Sequence, residues 1–190
     1  MTVSPERVRA RLGAPILAFV ALGASACQDR PLHEITVVDG VKTTRIPVRS
    51  AFAEYVELPG SRNELRITLA SYPVSCERWV EPGAADSLVA IVVVSPPGKP
   101  PQAGTYAWTG LPPADQPLAA PYALPKAVLA GGSRLFEPGG ALRLSAVQLD
   151  PHGTVSGTLA FEFPGDGERV ATRIDGSFEA KACSVSLAPP

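Results

Sequence analysis

From Thr154 to Phe163 apolar and polar side chains alternate one by one: Val155, Gly157, Leu159, Phe161 and Phe163 share one phase, Thr154, Ser156, Thr158 and Glu162 the other. The rule repeats from Val170, with Thr172, Ile174, Gly176, Phe178 and Ala180 in one phase and Arg173, Asp175, Ser177, Glu179 and Lys181 in the other. A helix would scatter such a set around its axis, whereas a strand gathers it on one face. Pro164-Gly165-Asp166-Gly167 supplies turn residues between the two runs, which predicts a hairpin with one buried face.

Upstream, Leu142 and Leu144 keep one phase and Val147 and Leu149 the other, which requires a bulge near Ala146. Asp150-Pro151-His152-Gly153 then turns the chain, so residues 141–182 are expected to form a three-stranded meander. In the first half, Leu65, Ile67 and Leu69 alternate with Glu64, Arg66 and Thr68. Leu88 to Val94 is continuously apolar, as a central strand covered on both faces would be. Asp39-Gly40 signals a two-residue hairpin turn, with Pro47 restricting its second strand to an edge or end. Ala51 to Leu58 and Gly104 to Trp108 are further short strands, and nine prolines between Ser95 and Lys126 predict a surface loop region over 95–126. The expected fold is all-β: a β-sandwich or partly open antiparallel barrel of about eight to ten strands, in one domain over 34–190.

The N-terminus follows a different rule. A short basic region carries Arg7, Arg9 and Arg11, an apolar run of 12 residues spans Leu12 to Gly23, and Ala24-Ser25-Ala26 precedes Cys27. That order is a cleaved secretory signal helix over 1–26, too short for the roughly 20 apolar residues of a membrane span. Small residues leading into a cysteine resemble the lipobox of bacterial lipoprotein signals, although Ala24 stands where that motif usually has Leu. The resemblance implies lipid on Cys27 (a palmitate-type acylation), a tether over 27–33 and, through Gln28, sorting to the outer membrane, facing the periplasm or the cell surface. Ala24-Ser25-Ala26 equally fits an ordinary signal-peptidase site, which would release a soluble secreted protein. Both readings put the domain outside the cytoplasm.

Lipid on Cys27 leaves Cys76 and Cys183 as an even pair, expected to form a disulfide bond where such bonds persist. Two reduced thiols, or a bond to Cys27, are the alternatives. The chain also looks like uncharacterised bacterial exported proteins, through Ile67-Thr68-Leu69 followed by Cys76, Gly104-Thr105-Tyr106, and a terminal GSFEAKAC from Gly176 to Cys183. This second resemblance implies no activity.

Functional signals are few. Charge argues against nucleic acid, because the segment after the signal sums to −3 and clusters no cations that could release phosphate counterions. His33 and His152 are the only histidines; one sits in the expected tether, the other in a turn, and His33-Glu34 lacks the second His of a zinc protease motif. Gly153-Thr154-Val155-Ser156-Gly157 has the glycines of a nucleophile elbow but places its Ser one residue late. Gly165-Asp166-Gly167-Glu168 lacks the further oxygens of a calcium loop, and Pro97-Gly98-Lys99-Pro100 matches a proline-ligand motif by letter only. Tyr106, Trp108 and Tyr122 are the candidate binding surface for a glycan or an envelope protein, with packing onto the core as the competing reading. These signals call for no metal and no cofactor. The expected function is a lipid-anchored, non-enzymatic binding or structural module of the envelope. A barrel holding a small apolar ligand, and a hydrolase with a loop-assembled site, are the alternatives.

Overall fold

A computed structural model describes residues 33–58, 62–108, 120–132, 134–135, 138–165, 171–183 and 186–187. The expected signal, Cys27 and tether positions 27–32 lie outside the described residues. His33, expected in the tether, instead opens the first strand, because its backbone has a partner at Val48.

The strands are β1 (His33–Asp39), β2 (Lys42–Val48), β3 (Ser50–Leu58), β4 (Arg62–Ala70), β5 (Leu88–Ser95), β6 (Gly104–Ala107), β7 (Tyr122–Val128), β8 (Arg134–Leu135), β9 (Gly139–Val147), β10 (Thr154–Phe163), β11 (Thr172–Ala182) and β12 (Ser186–Leu187). No helix occurs among the described residues. The main path runs β6-β9-β10-β11-β3-β4-β5-β7-β8 in a single sheet, with β1 and β2 branching from β11 and β12 lying on β3. The ten strands longer than two residues form a nearly closed, barrel-like wall.

The meander forms as β9-β10-β11, with Phe161 opposite Ile174 and Leu159 opposite Leu142. Its bulge leaves Ser145 without a partner, between Leu144 opposite Gly157 and Ala146 opposite Ser156. The extra residue resolves the change of phase read in the sequence. In the β1-β2 hairpin Asp39 pairs with Lys42, so the turn is Gly40-Val41, one residue later than expected. Gly40 takes φ 58°, which a residue without Cβ adopts at little cost, and Val41 stands fully in solvent.

Inside the wall, Leu65, Ile67 and Leu69 of β4 lie opposite Val93, Ile91 and Val89 of β5. They share one core with Leu142, Leu144, Leu159, Phe161, Ile174 and Phe178 of the meander. Each such side chain contributes about 1.5–3 kcal/mol on burial, so the two walls hold each other by packing as well as by rungs. The interior is therefore filled. β5 is flanked by β4 and β7 as expected of an interior strand. Its outer face is covered only in part: Leu88 and Val94 are buried, while Ala90 and Val92 are half-buried.

Two features depart from the sequence reading. The wall is not antiparallel throughout: β11 meets β3 in parallel at Lys181 opposite Phe52 and Ala182 opposite Ala53, and β12 continues that pairing at Val56 and Glu57. Residues far apart along the chain need no hairpin to pair, so nothing forces them antiparallel. The proline-rich region 95–126 yields its last residues to β7, which runs through Pro125. Pro125 is tolerated because it pairs with Ile91 on one side only; β8 joins β7 from Ala127 onward.

Candidate functional site

Loop 71–87 between β4 and β5 is tied to the sheet at several points. It leaves β4 by extending the sheet one rung, with the Ser71 N–H donating to the Ser87 carbonyl at 2.9 Å and the Ser87 N–H to the Ser71 hydroxyl at 2.8 Å. It then crosses the start of β3, where the Val74 N–H donates to Ser50 Oγ at 3.0 Å. The loop ends that crossing at Cys76, bonded to Cys183 with Cα atoms 5.9 Å apart. Cys183 is buried and its N–H donates to the Ala53 carbonyl at 2.7 Å, while Cys76 is exposed. The expected pairing is thus present, and it spans the two-rung joint between β11 and β3.

Beyond the disulfide the loop exposes Trp79 at 51% and Val80 at 39%. The Tyr72 hydroxyl holds the Val80 carbonyl at 3.0 Å, and Trp79 Nε1 donates to Glu81 Oε1 at 3.4 Å. Trp79 escaped the sequence reading because it lies outside any periodic run, among Ser75, Glu77, Arg78 and Glu81. A tryptophan in a loop tied by a cysteine was the available signal.

The three aromatic residues singled out in the sequence divide. Tyr106 is in the core at 5% exposure, its hydroxyl donating to the Gln102 carbonyl at 2.6 Å and accepting from the Gln102 N–H at 2.9 Å. It offers no binding surface, because β6 turns it inward beside Leu142. Tyr122 is also buried, next to Val94, whereas Trp108 is half-buried. The rings of Trp108 and Tyr122 lie 6.4 Å apart at 57°, a tilted pair where β6 approaches β7 and the wall almost closes. Burial raises the Tyr122 phenol above its ordinary range, with Arg62 opposing and Glu64 reinforcing that shift.

Beside this seam Glu64 is buried between two guanidinium groups. Arg62 Nε lies 2.8 Å from Oε1, and Arg66 Nη2 lies 2.8 Å from Oε2. Burial alone would raise the Glu64 carboxyl, but the hydrogen bonds from Arg66 and Arg62 outweigh it and hold the group below its ordinary 4.5. The carboxylate accepts one hydrogen bond from Arg62 on Oε1 and two from Arg66 on Oε2, which keeps it charged and paired. Near the same end of the wall, the Tyr55 hydroxyl donates to Glu57 Oε1 at 3.1 Å; burial first, and Glu57 second, push its pKa up to about 12.

The remaining sequence candidates are dispersed. His152 is exposed in its turn, with its N–H donating to Asp150 Oδ1 at 3.2 Å, and His33 is half-buried in β1. Ser156 Oγ meets Ser145 Oγ at 2.9 Å across the bulge, with a hydroxyl where a serine nucleophile would need a base. Of the Gly165-Asp166-Gly167-Glu168 turn, only Gly165 falls within the described residues. Lys99 in the proline motif closes a tight turn onto the Pro96 carbonyl at 3.2 Å.

A groove of about 540 Å³ opens where the β2-β3 strand parts from β4. The Arg49 N–H to Ala70 carbonyl bond, 2.8 Å, is the last rung before the split. Lys42, Arg45 and Arg49 line it together with Asp39 and Asp86, so the charges balance closely. No protein-family model, no curated protein and no solved structure matches this chain.

Proposed function

We propose that this chain is a lipid-anchored protein of a bacterial cell envelope, held by Cys27, and that its barrel is a non-enzymatic binding or structural module. The observation that carries the reading is the Cys76 to Cys183 bond closing across the fold. Such bonds persist in oxidising compartments, in keeping with an exported chain. Assigning that pair leaves Cys27 for the lipid that the resemblance to lipobox signals implies. Acyl chains contribute about 0.8 kcal/mol per buried methylene, so two or more make a stable anchor. The filled interior, with Phe161, Leu65, Ile67, Ile91 and Ile174 at 1% exposure or less, weighs against a barrel that carries a small apolar ligand inside. It favours a rigid body that works with its outer surface.

The test is the non-reducing intact mass of the protein purified from a bacterial envelope. An acylated Cys27 N-terminus with the rest of the chain two hydrogens short of two free thiols supports the reading. An unmodified N-terminus at Cys27 refutes the anchor and directs the search to a secreted protein.

A further inference from the structure

The outer face of β6, β9, β10 and β11 carries a groove of about 760 Å³, within the range of sites that hold small ligands. One row of it runs Thr105, Arg143, Thr158, Ser177 across the four strands, each residue directly opposite the next and exposed. At about 4.8 Å per strand the row is about 14 Å long. A second row begins at the bulge, where Ser145 and Ser156 share a hydrogen bond of 2.9 Å. Among the described residues lining the groove, Arg143 is the one charged side chain.

We propose that this groove binds an acidic saccharide, with the Arg143 guanidinium taking a carboxylate or phosphate and the flanking hydroxyls taking the sugar hydroxyls. A guanidinium presents a fixed fork of donors that matches a planar carboxylate or a phosphate, and Ser and Thr hydroxyls both donate and accept, as sugar hydroxyls do. The exposed lining offers no aromatic or large aliphatic anchor of the kind that centres a protein interface. A single cation is too little charge for a nucleic acid backbone. The proposal rests on the reading of the barrel as a binding module and is independent of lipid at Cys27.

Titration calorimetry of the purified chain tests it with three probes: oligogalacturonate, its neutral methyl ester, and micelles of a phosphorylated glycolipid. Binding of oligogalacturonate is expected to weaken about tenfold in Arg143→Gln, as loss of a charge-assisted contact does. Arg143→Lys should bind better than Arg143→Gln, Thr158→Val should weaken binding severalfold with the charge kept, and the melting temperature should stay unchanged throughout. Binding of soluble oligogalacturonate identifies a polysaccharide as the source of the acid; binding of the glycolipid alone identifies a headgroup. If the methyl ester binds as well as the acid, or Arg143→Gln binds like the unaltered chain, the groove assignment falls while a binding role elsewhere on the barrel stands. Failure of both acidic probes to bind overturns the proposal.

Discussion

Replacing Cys76 and Cys183 together with alanine removes a covalent tie that closes a loop of 107 residues. The chain-entropy relation for that loop gives about 4.8 kcal/mol at 25 °C. Residual structure in the unfolded chain reduces the figure, so the expected loss of stability is about 3–4 kcal/mol. For a chain of this size that corresponds to a fall of about 6–16 °C in melting temperature. Urea unfolding followed by tryptophan fluorescence measures it directly, with the dependence on urea steepening in the variant because its unfolded state exposes more surface. The structure adds a local expectation. The disulfide links loop 71–87 to the end of β11, across a joint with two β11-β3 rungs among the described residues. Limited proteolysis within 71–87 should therefore accelerate more than cleavage in the β9-β10 turn. A loss below about 1 kcal/mol, within the range of ordinary surface substitutions or little more, would refute the reasoning. It would mean that packing and the short parallel joint hold the two walls without help.

Three further outcomes are expected. Gly157→Ala places a Cβ against the Arg143 carbonyl oxygen at the bulge, so it should cost about 1–3 kcal/mol by urea unfolding, whereas Gly104→Ala, whose Cβ would meet open space, should cost far less. The Glu64 carboxyl is held below its ordinary value, so its contribution is fully present above 4.5 and is lost as pH falls through the lower folded value. Glu64→Gln should flatten that acid limb in stability measured against pH, and an unchanged limb would show that the two arginines do not set it. Ser95, at 2% exposure, has a buried Oγ with no hydrogen-bond partner among the described residues, so Ser95→Ala should be neutral or stabilise by up to about 1 kcal/mol; a loss above that would reveal an unseen partner.

The strands with a period-two signature were legible because the pleat itself writes that period into the sequence. The β10-β11 pairing, the meander and the bulge, placed within one residue of Ser145, all followed from which phase the apolar residues occupied. What joins distant parts of the wall was not legible. Nothing in Phe52 or Lys181 announces that they will be neighbours, since pairing between remote strands depends on the shape of everything between them. The same limit explains the candidate surfaces. Tyr106 and Tyr122 carried the aromatic signal but went into packing, while Arg143 looked like one polar position in an alternating strand. Its significance comes from Thr105, Thr158 and Ser177, which only the folded register places beside it.

The parallel joint also orders events in time. On that side of β3, Phe52 and Ala53 pair with Lys181 and Ala182, 129 residues further along the chain. Contacts of such long separation form slowly because loop closure precedes any gain from pairing. Until the last strands arrive, β3 presents an unpaired edge and an uncovered inner face, a state prone to mispairing. The joint between β3 and β11 therefore closes only when everything between them is available at once.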